Sequence, residues 1–290
     1  MTEFQQPEQT SEMGKIPPAI EAELDAKMPS STSPSKTSLQ DSLQNRLLKR
    51  AQTSSLRTLT LSPASSADFS SNDFLSLSTS PLLRSAFMTE LTTTHCAHAI
   101  GSRGSRLLDG NSSYAEALER SIAAFHKAPA GLLFNSGFDA NAGFFACVPQ
   151  PGDVIFYDEF IHASVHEGMR LSRASTGVPF RHNCVGDLER RIEEVVRDEG
   201  VRLGKRNVFV AVESLYSMDG DLAPLKEIVE LVKRVLPNGN GHVVVDEAHS
   251  TGIYGPNGRG IVCMLGLEKR VFARLHTFGK GLGCNGGEFP

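Results

Sequence analysis

Tryptophan is absent from the 290 residues, and the five cysteines, Cys96, Cys147, Cys184, Cys263 and Cys284, never form a CxxC pair. An odd, dispersed set fits reduced thiols better than a disulfide frame. No apolar run approaches the length of a membrane span. Acidic and basic residues are interspersed at a net charge of -4, so neither a basic stripe for nucleic acid nor a charged tail is present. The start, MTEFQQPEQTSEMGK, is polar and acidic, unlike a secretory signal. These absences leave a soluble, cytoplasmic protein with no membrane or nucleic-acid partner as the expectation. The composition, 40% hydrophobic and 21% charged, is globular, and the length allows one large core with an appended segment.

Composition changes along the chain. Residues 1–38 mix Pro, Ser, Thr, Gln and Glu with few large apolar side chains, which predicts a disordered leader. Residues 39–67 begin an amphipathic, basic pattern from Leu39 to Leu61 that predicts a helical arm packed on the body. From Asp68 to Pro290 short apolar runs alternate with longer helical patterns. GLLF, VIFY, VFVAV and HVVV are each followed by polar or helical sequence, and a last run, Val271 to Leu275, ends at HTFGKGLG. Buried parallel strands followed by helices produce this rhythm, so the fold class expected is α/β with a mostly parallel sheet. In such sheets ligands gather at the carboxyl ends of the strands. Those ends carry His162, Ser217, Asp246, His249, Thr277 and Lys280.

Asp246 follows the β-branched run in VVVDEAH, where a partly desolvated carboxylate needs a positive partner. A protonated pyridine nitrogen would serve, and holding that proton makes the ring an electron sink. The competing reading is a loop aspartate that caps the next turn. His249, three residues on, lies within reach of the same ligand, although a lone histidine is more often structural. Lys280 sits between glycines in HTFGKGLG, where backbone can approach a ligand closely. An amine in such a setting can lose its proton and form a Schiff base, whereas most lysines are simply solvated. NSGFDAN reads as a helix start whose Ser136 and Gly137 suit a phosphate dianion, with Thr277 adding a hydroxyl. His162 and His166 have metal-ligand spacing, but no third ligand accompanies them, and His95, Cys96 and His98 are likewise too few for a metal cage. GSRGSR at Gly101 to Arg106 looks like a phosphate loop but lacks the GKS or GKT ending.

Taken in order, DFSSNDFLSL, GSRGSRLLDGNSSYAEALE, LLFNSGFDANAGF, DEFIHASVHEG, ESLYSMDGDLAPL, VVVDEAHSTGIYGPNGRG and HTFGKGLG resemble the α-oxoamine synthases. These are enzymes of pyridoxal 5′-phosphate (PLP) fold type I that condense an amino acid with an acyl-CoA and release CO2. The resemblance implies a Schiff base on Lys280, which also moves the substrate Cα proton. It implies Asp246 at the pyridine nitrogen, His162 stacked on the ring, and His249 and Ser217 near the phenolate oxygen. The Gly137 and Phe138 backbone and Thr277 would hold the phosphate. Asn72 would border the substrate pocket, and Arg57 is the candidate basic residue for substrate. The SMDGDLAPL and TFGKGLG wording is similar to members that join L-alanine to a pimeloyl thioester in biotin synthesis, while other pairs of amino acid and acyl-CoA share most of the motifs. A homodimer with shared active sites is also implied. Such proteins continue well past the lysine, whereas this sequence runs only ten residues beyond Lys280. The expectation is therefore an incomplete large domain without its remaining strands, its small C-terminal domain or the carboxylate-binding arginine. A catalytically impaired binding subunit and a PLP aminotransferase are the competing readings.

Overall fold

The computed structural model describes residues 38–61, 63, 65–93, 101–174 and 176–290. The leader through residue 37 and the His95, Cys96, His98 group lie outside the described residues. The chain divides into two units, Met1–Ala67 and Asp68–Pro290.

In the first unit, helix α1 spans Leu39–Gln52. Ser38 and Asp41 start it as a reciprocal capping box, with the Asp41 N–H donating to Ser38 Oγ at 3.1 Å. Lys49 and Arg50 favour the negative end of the helix dipole. The helix stops short of Leu61 because its hydroxyl side chains compete for the backbone. Thr53 Oγ1 donates to the Lys49 carbonyl and Ser55 Oγ to the Arg50 carbonyl, and Ser54 turns left-handed at φ 52°.

The second unit holds helices α2 (Pro81–Thr93) and α3 (Ser113–Phe125), then strand β1 (Leu132–Phe134) and helix α4 (Gly137–Cys147). Next come β2 (Val154–Asp158), α5 (Ala163–Leu171), β3 (Thr176–Phe180), α6 (Val185–Val196) and the short α7 (Glu199–Arg202). The series ends with β4 (Val208–Glu213), α8 (Leu225–Val235), β5 (Gly241–Asp246), α9 (Ile261–Met264), β6 (Ala273–Thr277) and β7 (Gly287–Phe289). The sheet order is β1-β7-β6-β5-β4-β2-β3. Strands β3, β2, β4, β5 and β6 pair in parallel, and β7 runs antiparallel to both β1 and β6. The fold is α/β with a mostly parallel sheet and helices on both faces, as the sequence predicts.

Alternation along buried strands supplies two cores at once. Phe156, Val208, Val210, Val212, Val243 and Val245 face one way, against Leu188 and Ile192 of α6 and Leu225, Ile228 and Val232 of α8. Ile155, Phe209, Ala211, Val244 and Leu275 face the other, against Ala140 and Phe145 of α4 and Val165 of α5. Helices α4 and α5 pack closely because Gly168 has no side chain, since a Cβ there would lie 2.8 Å from Phe145 Cβ.

Two strand expectations are corrected. The last apolar run forms β6 two residues later than Val271–Leu275, at Ala273–Thr277. The expectation that no strand follows Lys280 fails, because Gly287–Phe289 inserts between β1 and β6, with Gly287 paired to both Phe134 and Thr277.

Candidate active site

The parallel strands end side by side in a row of polar groups. Asp158 closes β2, Glu213 closes β4, Asp246 closes β5 and Thr277 closes β6. Register puts Glu213 directly opposite Asp246.

Lys280 lies just past β6, half-buried, with its Nζ 2.9 Å from His249 Nε2. Burial depresses the Lys280 pKa, against the opposing pull of Asp246 and Glu213. Burial and then the Lys280 charge bring His249 down to about 4, so this imidazole is neutral at physiological pH. A neutral imidazole beside an amine whose pKa burial lowers is a setting in which that amine can act as nucleophile or base.

Asp246 is buried and held from two directions. Its Oδ1 accepts from the Ala248 N–H at 2.8 Å, and its Oδ2 accepts from Asn141 Nδ2 at 2.8 Å. Asn141 also donates to Ser164 Oγ at 2.9 Å, and that hydroxyl lies 2.7 Å from His162 Nδ1. One polar chain thus links the carboxylate to the exposed histidine that starts α5. Asn141 sits on the buried face of α4, one turn after Gly137, which follows from helical spacing. Glu213 is raised to about 8 by burial and then by the Asp246 charge, while Lys280 and the hydrogen-bonding His162 backbone oppose the shift. One carboxyl of the adjacent pair is therefore protonated at neutral pH.

The N-terminus of α4 opens onto the same edge. Ser136 Oγ accepts from the Asp139 N–H at 3.0 Å. The Gly137 and Phe138 N–H groups have no acceptor inside the helix, and the helix dipole favours an anion there. Glycine is required at 137, because a Cβ would lie 2.1 Å from Thr277 Oγ1. The hydroxyl of β6 is thereby brought against the helix mouth.

Of the residues singled out in the sequence, His162, Asp246, His249, Gly137, Phe138, Thr277 and Lys280 gather at this edge. Phe138 presents its ring edge to His162 at 6.2 Å. Ser217 is exposed in the turn after β4, and Asn72 is exposed in the segment before α2. From that segment it is Phe74 that approaches, 6.3 Å from the His249 ring. Arg57 is an exposed residue of the first unit, beyond the end of α1. Arg106 of the GSRGSR loop is not free for phosphate. Both of its terminal nitrogens bind the Glu119 carboxylate, whose Oε1 also accepts from the Leu133 N–H at 2.8 Å. Sequence reasoning missed Asn141, Ser164 and Glu213, whose importance comes from burial and cross-strand register.

The family model for aminotransferase class I and II matches residues 65–288. The chain belongs to that family. It is 57% identical over 249 residues to an 8-amino-7-oxononanoate synthase of Emericella nidulans, covering 86% of this chain and 60% of the relative. It is 41% identical over 280 residues to the aminoacyl transferase sphA of Byssochlamys spectabilis, covering 93% and 59%. The structure superposes on serine palmitoyltransferase of Sphingomonas wittichii with a TM-score of 0.65 at 32% identity, covering 76% of this chain and 51% of that one. The chain thus spans about three-fifths of the length of the curated relatives it matches. The 8-amino-7-oxononanoate synthase and the serine palmitoyltransferase are α-oxoamine synthases, and other serine palmitoyltransferase structures hold PLP.

The residues present fit that cofactor. A helix mouth with an adjoining hydroxyl suits its phosphate, a fixed carboxylate suits its ring nitrogen, and a desolvated lysine suits its aldehyde.

Proposed function

We propose that the chain binds PLP through Lys280 and serves the decarboxylative condensation of an amino acid with an acyl-CoA. L-alanine and pimeloyl-CoA are the substrates proposed, as in biotin synthesis. The observation that carries the reading is the meeting of Lys280, His249 and the fixed Asp246 at the ends of two adjacent strands, β5 and β6. The 57% identity to an 8-amino-7-oxononanoate synthase supports this substrate pair.

In this reading Gly137, Phe138 and Thr277 hold the phosphate, and His162 covers one face of the ring. His249 and Ser217 flank the phenolate oxygen, while Asn72 meets the substrate. When bound, the cofactor supplies an electron sink for charge developing at the substrate Cα. Asp246 keeps the proton on the ring nitrogen, and Asn141 with the Ala248 N–H fixes the direction in which it does so. Lys280 Nζ takes the Cα proton, which its depressed pKa favours, and His249 Nε2 holds the amine in place. Positioned proton transfer of this kind contributes about a hundred- to ten-thousand-fold in rate.

The protein acts as a homodimer in this reading. Helix α2 supports it, for it has no buried residue and exposes Leu82, Phe87, Met88 and Leu91. Sedimentation at micromolar concentration tests the assembly, with a monomer counting against it.

Likeness to serine palmitoyltransferase favours a second substrate pair, serine with a long-chain acyl-CoA. The deciding experiment adds PLP to the purified chain and follows its visible absorption. Wild type gains the band of a lysine-bound cofactor, and Lys280→Ala does not. Product formation is then compared for L-alanine with pimeloyl-CoA and for L-serine with palmitoyl-CoA. A band retained in Lys280→Ala would overturn the cofactor assignment, and no product from either pair would favour a binding subunit.

A further inference from the structure

Beside the active-site edge, His182 has both ring nitrogens against carboxylates. Nδ1 lies 2.8 Å from Asp158 Oδ1, and Nε2 lies 2.7 Å from Asp221 Oδ2. A neutral imidazole carries one N–H and one lone pair, so it can donate to only one of these oxygens. Two carboxylate acceptors, both closer than the Asn183 Nδ2 donor at 3.2 Å from Nε2, favour two N–H groups, which is the imidazolium.

The two carboxylates belong to different pieces of the site. Asp158 is fully buried at the end of β2, and its Oδ1 also accepts from the Phe160 N–H at 2.9 Å in the turn that leads to His162. Asp221 closes the turn after β4. There the Tyr216 N–H donates to the Asp221 carbonyl at 3.0 Å, and Leu215 bridges Leu222. Ser217 sits inside this turn. Aromatic rings pack around the clamp, with Phe160 stacked on His182 at 4.5 Å and Tyr216 meeting it edge-on at 4.5 Å. Asn183 Nδ2 donates to the same Asp221 oxygen at 2.6 Å.

The geometry points to His182 as a positioning residue, a doubly protonated imidazole that ties the β2 end to the turn over 215–222. It thereby holds the His162 loop and Ser217 in register around the cofactor site. This rests on the PLP reading only for what the held groups surround. The charged and titratable groups facing the ring are Asp158 and Glu159 from the β2 end, and Tyr216 and Asp221 from the turn. Glu159 Oε1 accepts the His182 backbone N–H at 2.9 Å. The neighbouring Arg191 and the Arg181 backbone are engaged by Asp187 on α6. Burial opposes a charge on His182, but the bonds to Asp158 and then Asp221 outweigh it and raise the pKa. The imidazolium therefore persists to higher pH than in a free histidine, and the clamp opens as pH rises through the raised value.

The test has two arms. In histidine-labelled protein, nitrogen-15 spectra should contain one imidazole with both ring nitrogens protonated at pH 7, absent from His182→Asn. Its titration midpoint should fall by about one unit or more in Asp221→Asn, which loses a charge-assisted bond. Hydrogen exchange over 215–222, corrected for intrinsic rates, should quicken on the order of tenfold in Asp221→Asn. In wild type it should quicken as His182 deprotonates, and in His182→Gln it should lose this pH dependence. A neutral tautomer at pH 7, or exchange over the turn that ignores both substitutions, would overturn the clamp. Neither arm needs PLP, so failure of the cofactor reading is seen separately, as loss of the visible band.

Discussion

Asn141 makes one buried amide serve two partners, Asp246 and Ser164. Removing a donor from a buried carboxylate costs about 1–3 kcal/mol. Asn141→Leu is thus expected to weaken PLP binding by about ten- to a hundredfold, read as the midpoint of a cofactor titration against the visible band. Asn141→Asp should weaken it further, because it replaces the donor to Asp246 by a second carboxylate. Unchanged affinity in both variants would mean that Asp246 does not depend on this bond. Asp246, His249 and Lys280 could be read in the sequence because each follows an apolar run at the end of a strand. Asn141, Ser164 and Glu213 could not. Their spacing resembles that of any helix or strand residue, and only packing reveals that Asn141 and Glu213 are 2% and 4% exposed.

Strand β7 carries Glu288 between β1 and β6, opposite Leu133 and His276. It is fully buried, and neither carboxylate oxygen has a hydrogen-bond partner. Burial and then the Glu119 charge push its pKa up to about 8. A pKa raised on folding means that the folded state holds a proton that the unfolded state releases. The associated stability is fully present below the unfolded value near 4.5, and it declines as pH rises to about 8. Denaturant unfolding from pH 5 to pH 8 should show this decline, and Glu288→Leu should flatten it. Replacing an unpaired buried carboxyl by an apolar side chain should also raise stability by about 1–3 kcal/mol near pH 8. An unchanged slope in the variant would assign the decline to other groups. The element explains why sequence reading missed it, since GEF is short and places a carboxylate where a central strand is normally apolar. Strand β3 was missed for a related reason. Its sequence TGVPF contains glycine and proline, and proline is tolerated there because β3 is an edge strand paired only with β2. The runs VIFY, VFVAV and HVVV were legible because burial on both faces demands continuous apolar sequence.

Across the whole second unit, the proposed cofactor would touch groups that β4, β5, β6, α4 and α5 supply separately. Helix α4 and β6 would hold its phosphate, Asp246 of β5 and His162 before α5 would flank its ring, and the lysine after β6 would take its aldehyde. A ligand that bridges so many elements binds the folded state and not the unfolded chain, so it must raise the melting temperature by mass action. At a PLP concentration a hundredfold above its dissociation constant the gain is about 2.7 kcal/mol. For a domain of this size that corresponds to about 5–10 °C. Scanning calorimetry with and without PLP should show the rise in wild type. Lys280→Ala removes the covalent link but leaves the phosphate and ring contacts, so at equal PLP it should retain only part of the rise. Gly137→Ala attacks the opposite end of the ligand, because its Cβ would collide with Thr277 Oγ1, and should reduce the rise without removing the visible band. Equal shifts in all three proteins would mean that PLP stabilises the fold from somewhere other than this strand edge.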